Sequence, residues 1–151
     1  MQNFVRHIWS IATVSVLLTG TILVSSANAA TVTSANDYPT TLQVSQSSNH
    51  QVLFTTSSGV TEGQTITLTF STSFNTASII EDDVDIADDG TDLTTASNCA
   101  GTEKASVAMV ADVLTITICA GDGGAIAATS QVAIEIGTNA TSSGTGTNRI
   151  T

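Results

Sequence analysis

Positive charge is nearly missing from this chain: of 151 residues only Arg6, Lys104 and Arg149 are basic, against thirteen acids, for a net charge of −10. That balance repels phosphate backbones and anionic lipid surfaces, so nucleic acid is excluded as a partner on electrostatic grounds. Aromatic residues make up 4%. Beyond residue 30 they are Tyr38, Phe54, Phe70 and Phe74, too few for the sugar-binding cleft that a glycoside hydrolase built on paired carboxylates needs. Settings for a nucleophile are missing as well. No Gly-x-Ser-x-Gly elbow occurs, and "CAGDGGAIAA" lacks the Gly-Lys-Ser/Thr ending of a phosphate loop and reads as a flexible turn. His50 is the one histidine after residue 30. A Ser-His-Asp arrangement around it stays open, because serine and aspartate are plentiful; the plainer reading is a half-exposed histidine at the mouth of a strand. The chain therefore reads as a non-enzyme.

The first thirty residues, "MQNFVRHIWSIATVSVLLTGTILVSSANAA", place Arg6 before an apolar run from Ile8 to Val24 and end in small residues, with Ala27 and Ala29 forming an A-x-A site. This is the order of a secretory signal peptide, helical and cleaved after Ala29. A retained membrane anchor is the alternative, since the run approaches the roughly 18 residues that begin to span a bilayer. Residues 1–29 are then leader, 30–138 a single domain, and 139–151 a Gly/Ser/Thr-rich linker or an edge strand cut short. Cleavage leaves 122 of the 151 residues, with thirteen acids facing Lys104 and Arg149, a net of −11. That length buries a core without help from a metal or many disulfides. No cell-wall sorting motif or second hydrophobic span follows Ala30.

After the leader the chain alternates apolar and polar residues with period two and shows no helical stripe. "QTITLTF" sets Ile66, Leu68 and Phe70 on one face, "VLTITIC" sets Leu114, Ile116 and Ile118, and "QVAIEI" sets Val132, Ile134 and Ile136. "HQVLFTT" (Val52, Phe54), "SVAMV" (Val107, Met109) and "TTLQV" (Leu42, Val44) are weaker versions of the pattern. Turn residues separate the runs, among them Glu62-Gly63, Asp89-Gly90, Ala111-Asp112 and the "GDGG" of Gly121 to Gly124. The expectation is an all-β, antiparallel, Ig-like sandwich of about seven or eight strands, with closure into a barrel as the alternative.

Cys99 and Cys119 both lie in the exported part, where an oxidising space lets them pair. Free thiols in a reducing compartment are the alternative. A hairpin turning at Ala111-Asp112 opposes Val110 to Val113 and Val107 to Ile116, which brings Cys119 level with about Lys104 and lets Cys99 staple the open end. Closing that loop stabilises by about 3 kcal/mol in the chain-entropy picture.

Three stretches, "NHQVLFTTSSGVTEGQTITLTFSTSF", "DVDIADDGTDLT" and "VAIEIGTNATSSGTGTNRIT", resemble the repeating surface-protein domain of uncultivated, small-genome bacteria of the Parcubacteria type. The resemblance covers essentially all of the chain after the leader. It implies an exported Ig-like β domain, usually the first part of a longer polypeptide attached to the cell envelope, and it supplies no catalytic residues. The cysteine pair is not part of what it implies.

"SIIEDDVDIADDGTD" concentrates the acid: seven of the thirteen acidic residues fall between Glu81 and Asp92. Ca²⁺ takes six to eight oxygen ligands, so the composition suits it better than any softer metal. The EF-hand spacing is absent, since Ala87 and Ala96 fall where ligands are required. A structural Ca²⁺ site, if built, draws on Asp83, Asp85, Asp88 and Asp89, which the turn lets converge. The plainer expectation is a strand with Val84 and Ile86 inward and Glu81, Asp83 and Asp85 roughly 7 Å apart on a wet face, each pair repelling by about 0.6 kcal/mol in water. Such charges also guard a sheet edge against strangers. Asn139-Ala140-Thr141 matches a glycosylation sequon. These features fit a non-catalytic extracellular or envelope module, a spacer, coat component or adhesin, with other envelope components and glycans as partners and no cofactor. Membrane contact comes only through an uncleaved leader or sequence beyond Thr151. A Ca²⁺-assisted carbohydrate-binding module is the alternative.

Overall fold

The computed structural model describes residues 31–142 and 144–151. The expected leader helix and its cleavage residues, Ala27 and Ala29, lie outside the described residues. Within them the chain is all-β, with nine strands and one 3-10 turn at Glu81–Asp83. The strands are β1 (Val32–Pro39), β2 (His50–Thr56), β3 (Thr65–Thr69), β4 (Val84–Asp88), β5 (Thr91–Leu93), β6 (Thr95–Ala96), β7 (Ala105–Val110), β8 (Val113–Ile118) and β9 (Gln131–Ile136). They form two sheets, β1-β2-β9-β4-β5 and β3-β8-β7-β6.

The inward rows of both sheets make one core, joining Phe54, Val84, Ile86, Val132, Ile134 and Ile136 to Val107, Leu114, Ile116 and Ile118. Alternation explains why: Leu114, Ile116 and Ile118 are fully buried while the residues between them are half-exposed, and β9 repeats the scheme. At about 25 cal/mol per Å² of apolar surface, this burial is the main stabilising term. On β3 the same pattern is only half-covered at Ile66 and Leu68, because β3 is an edge strand with a neighbour on one side.

The β7–β8 hairpin has the expected register, Val110 opposite Val113 and Val107 opposite Ile116. Its turn is the two-residue kind, with Ala111 at φ 46° and Asp112 at φ 64°. Both lie in the left-handed region that this turn type demands and that alanine disfavours. The β4–β5 turn uses Asp89-Gly90 at φ 48° and 78°, the pairing such turns prefer. Cys119 N–H donates to the Lys104 carbonyl at 2.9 Å, and the Cys99–Cys119 disulfide closes with its Cα atoms 5.4 Å apart. It pins the loop that returns the chain from β6 to β7.

Four expectations are corrected. The sheets are not wholly antiparallel, since β6 runs parallel to β7, and among the described residues the strands number nine rather than about seven or eight. "TTLQV" is not a strand: Leu42 is 89% and Val44 91% exposed. Pro39 already pairs with His50, so residues 40–49 are the loop of the β1–β2 hairpin, in which Ser48 alone makes a β-bridge, to Ile150; Ser45 turns there at φ 60°. Finally, the acidic strand is no guarded edge, because β4 lies between β9 and β5.

Candidate functional site

The acidic segment departs furthest from its wet-face expectation. Val84 and Ile86 face the core, as alternation requires, but Asp83 is fully buried and Asp85 is 5% exposed. The cause is the chain after β9, whose Thr141 and Ser142 lie against Asp85 and whose Thr147 and Asn148 lie against Asp83. Asp83 Oδ1 accepts the main-chain N–H groups of Thr147 at 2.7 Å and Asn148 at 2.8 Å. Its Oδ2 accepts the Ile80 N–H at 3.0 Å and the Asn148 side-chain amide at 2.9 Å. Burial pushes this carboxyl up, but the donors from Asn148, Ile80 and Thr147 outweigh it and hold the group below the ordinary carboxylate range.

Asp85 is fastened to the same segment. Its Oδ2 accepts the N–H and the hydroxyl of Thr141 at 3.3 and 3.4 Å, and its Oδ1 accepts the hydroxyl of Ser142. Asp89, on the exposed turn, accepts the Gln131 N–H at 2.8 Å and the Ser130 hydroxyl at 3.2 Å. Asp88 Oδ1 is buried without a hydrogen-bond partner. The four carboxylates proposed as Ca²⁺ ligands are thus strung along β4, with Asp83 and Asp88 five residues and roughly 16 Å apart. One ion reaches ligands at about 2.5 Å, so they cannot share it. Among the described residues no group of three or more His, Cys, Asp or Glu side chains has the arrangement of a metal site.

The segment 139–151, expected as a linker or truncated edge strand, makes one antiparallel bridge, Ile150 with Ser48. Ile150 is 1% exposed and sits in the core cluster. The Ser48 N–H donates to its carbonyl at 2.7 Å, and Asn75 and Thr151 exchange two main-chain hydrogen bonds of 2.6 and 3.3 Å. The segment therefore ties the loop before β2 to the loop after β3. Its root is shaped by Asn49, whose side chain binds Thr138 and Asn139, and by Gly137 at φ 121°, where a Cβ would strike Asn49. In the sequon, Asn139 is exposed but its side-chain oxygen is engaged by Asn49.

His50 lies at the same end. Its Nδ1 is 2.8 Å from Asp37 Oδ2, and its ring meets Phe74 edge-on with centroids 6.0 Å apart. Sequence reading placed it half-exposed, whereas it is buried, and Asp37 reaches it because β1 and β2 pair in this region. Beside it opens a groove of about 320 Å³ lined by Asp37, Pro39, Leu42, Val44, Phe74 and Ile150, among others. A histidine oriented by a carboxylate is two parts of a Ser-His-Asp arrangement. Ser73 lines the groove, but no serine hydroxyl bonds the ring among the described residues. The "GDGG" turn has a structural partner: Glu62 accepts the N–H groups of Gly121 and Gly123 at 2.8 and 3.0 Å.

Sequence reasoning missed Asp37 and the fastening by Thr147 and Asn148. Neither has a local signal: Asp37 stands 13 residues from His50 on a different strand, and Asp83 stands 64 and 65 residues from its two main-chain donors. No protein-family model matches the chain, and no curated protein or solved structure matches it.

Proposed function

We propose that this chain is a non-catalytic module of the cell exterior or envelope, an Ig-like β-sandwich serving as spacer, coat component or adhesin. The observation that carries this reading is the use made of the acidic segment. Asp83, Asp85 and Asp89 spend their oxygens on main-chain N–H groups and hydroxyls of the same domain, which is how a carboxylate acts as a fastening. The disulfide supports an oxidising compartment, the leader-like first residues support export, and the charge of −10 supports a solvated, self-repelling surface. The resemblance to surface domains of Parcubacteria-type bacteria points the same way. Expression with its leader in a bacterial host tests the proposal. The product should be recovered outside the cytoplasm, starting at Ala30 and with Cys99 and Cys119 oxidised; a cytoplasmic product with free thiols overturns it.

The groove beside His50 favours a second reading, a ligand-binding module. Exposed Leu42, Val44 and Phe74 offer an apolar wall and Asp37 a hydrogen-bond acceptor. A glycan array with and without Ca²⁺ separates the two: a spacer is silent, and a lectin-like module gives signal that His50→Ala or Phe74→Ala removes.

A further inference from the structure

Ile150, on the strap Thr147–Thr151, plugs the core at one end of the sandwich. The long side between β1 and β3 stays open. There a groove of about 430 Å³ is lined by Val32 and Ala35 of β1, Val52 and Phe54 of β2, and Ile66 and Leu68 of β3. None of the residues lining it is charged, in a chain whose net charge is −10.

β3 gives this groove an edge that accepts another strand. Ile66 and Leu68 stand opposite Ile116 and Leu114 of β8. The bonds on either side, Ile118 N–H to the Gln64 carbonyl and Phe70 N–H to the Asp112 carbonyl, show that even-numbered residues spend their main-chain groups on β8. Alternation therefore turns the N–H and C=O groups of Thr65, Thr67 and Thr69 outward. The other sheet edges among the described residues are guarded. β1 carries Asp37, Pro39 and an irregularity between Thr33 and Asn36, while β5 and β6 are three and two residues long. β3 has no charge, proline or irregularity.

The same chain holds a strand-like segment with no sheet to join. Residues 40–44 alternate as a strand does, and the whole loop 40–49 is uncharged. Leu42 at 89% and Val44 at 91% are the most exposed large apolar residues among those described. We infer that this loop of one copy adds to β3 of a second, with Leu42 and Val44 in the groove. In the antiparallel register that fits, Gln43 and Thr67 exchange main-chain hydrogen bonds, and Leu42 and Val44 lie beside Leu68 and Ile66. The Gln43 N–H trades its 3.2 Å bond to the Thr41 hydroxyl for the new one. Charge selects the occupant: a cationic partner finds no acid in the groove, whereas two copies that repel elsewhere touch where neither is charged.

Loop and groove lie apart on the domain. The loop joins Pro39 to His50, the groove runs beside the Val32 end of β1, and no loop residue lines it. A projecting apolar element that matches a pocket elsewhere on its own molecule makes a head-to-tail contact that does not close. The product is a row of modules. As a way of building a coat this rests on the scaffold reading; the contact itself rests on loop and groove alone.

Sedimentation velocity on the chain as recovered from its expression host tests the contact. A donor variant, Leu42→Ser with Val44→Ser, keeps the groove. An acceptor variant, Thr67→Pro, keeps the loop and loses an outward N–H, at an edge position where proline is tolerated. Val32→Glu, which sets a charge in the groove at an exposed residue, serves as acceptor variant if Thr67→Pro misfolds. The unmodified protein should form species larger than a dimer at about 1 mM, and each variant alone should associate at least about tenfold more weakly. Donor and acceptor variants mixed together should stop at a one-to-one dimer. Added salt should strengthen the association, because it screens repulsion and breaks no ion pair. An unmodified protein that stays monomeric overturns the contact. Association that survives intact in the donor variant overturns the loop as its occupant. Neither result touches the scaffold reading, since export and thiol oxidation are measured separately.

Discussion

Replacing Asp83 by asparagine removes one acceptor oxygen from a buried carboxylate that satisfies four N–H donors. The substitution conserves shape and leaves two of those donors facing an amide NH₂. Hydrogen bonds to a charged group contribute about 1.5–3 kcal/mol each, and a buried donor left unpaired costs about 1–3 kcal/mol. With partial relaxation of the strap, the expected loss is about 3–5 kcal/mol, a large share of the stability of a domain this size. Urea unfolding followed by circular dichroism measures it. The pH dependence gives an independent sign. The folded pKa of Asp83 lies below its unfolded value, so the native state holds fewer protons. Its contribution is fully present above about pH 4, the unfolded carboxylate value, and is lost as pH falls through the folded pKa. Asp83→Asn should therefore be much less stable than the parent at pH 6 and lose less of its remaining stability between pH 4 and pH 2. A loss under about 1 kcal/mol at pH 6, with parallel acid limbs for the two proteins, would refute the fastening.

Other consequences follow from the same geometry. Replacing Cys99 and Cys119 together by alanine frees the loop between β6 and β7 and should lower stability by about 2–4 kcal/mol in urea. Ala111→Asn relieves a left-handed alanine in the β7–β8 turn and should raise the melting temperature by a few degrees, on the order of 1 kcal/mol. Ile134→Ala opens a cavity in the fully buried row of β9 and should cost about 2–5 kcal/mol in the same denaturation assay. Because Asp83, Asp85, Asp88 and Asp89 do not converge, millimolar Ca²⁺ should leave the thermal midpoint unchanged; a rise of several degrees, reversed by a chelator, would show a site there.

What could be read in the chain, and what could not, divides along one physical line. β7, β8 and β9 announce themselves because one face of each is buried and the other is not, and the β7–β8 register then carries Cys119 to Lys104. β1 is invisible because nearly all its residues are exposed and its pairing is interrupted by an irregularity between Thr33 and Asn36. Leu42 and Val44 alternate correctly but sit in a hairpin loop, so period alone misleads there. The acidic segment misled for another reason. Alternation correctly sends Val84 and Ile86 inward, yet the opposite face of β4 is covered by a strap from the far end of the sequence. Its donors at Thr147 and Asn148 are main-chain groups, which every residue but proline possesses.

The claim on which this account turns is that Asp83 holds the strap down through the amides of Thr147 and Asn148. Hydrogen exchange of those two amides, followed by NMR at pH 6, tests it most directly. The account predicts that both exchange orders of magnitude more slowly than a free chain and that Asp83→Asn abolishes the protection. Exchange of both amides at free-chain rates in the unmodified protein would contradict it.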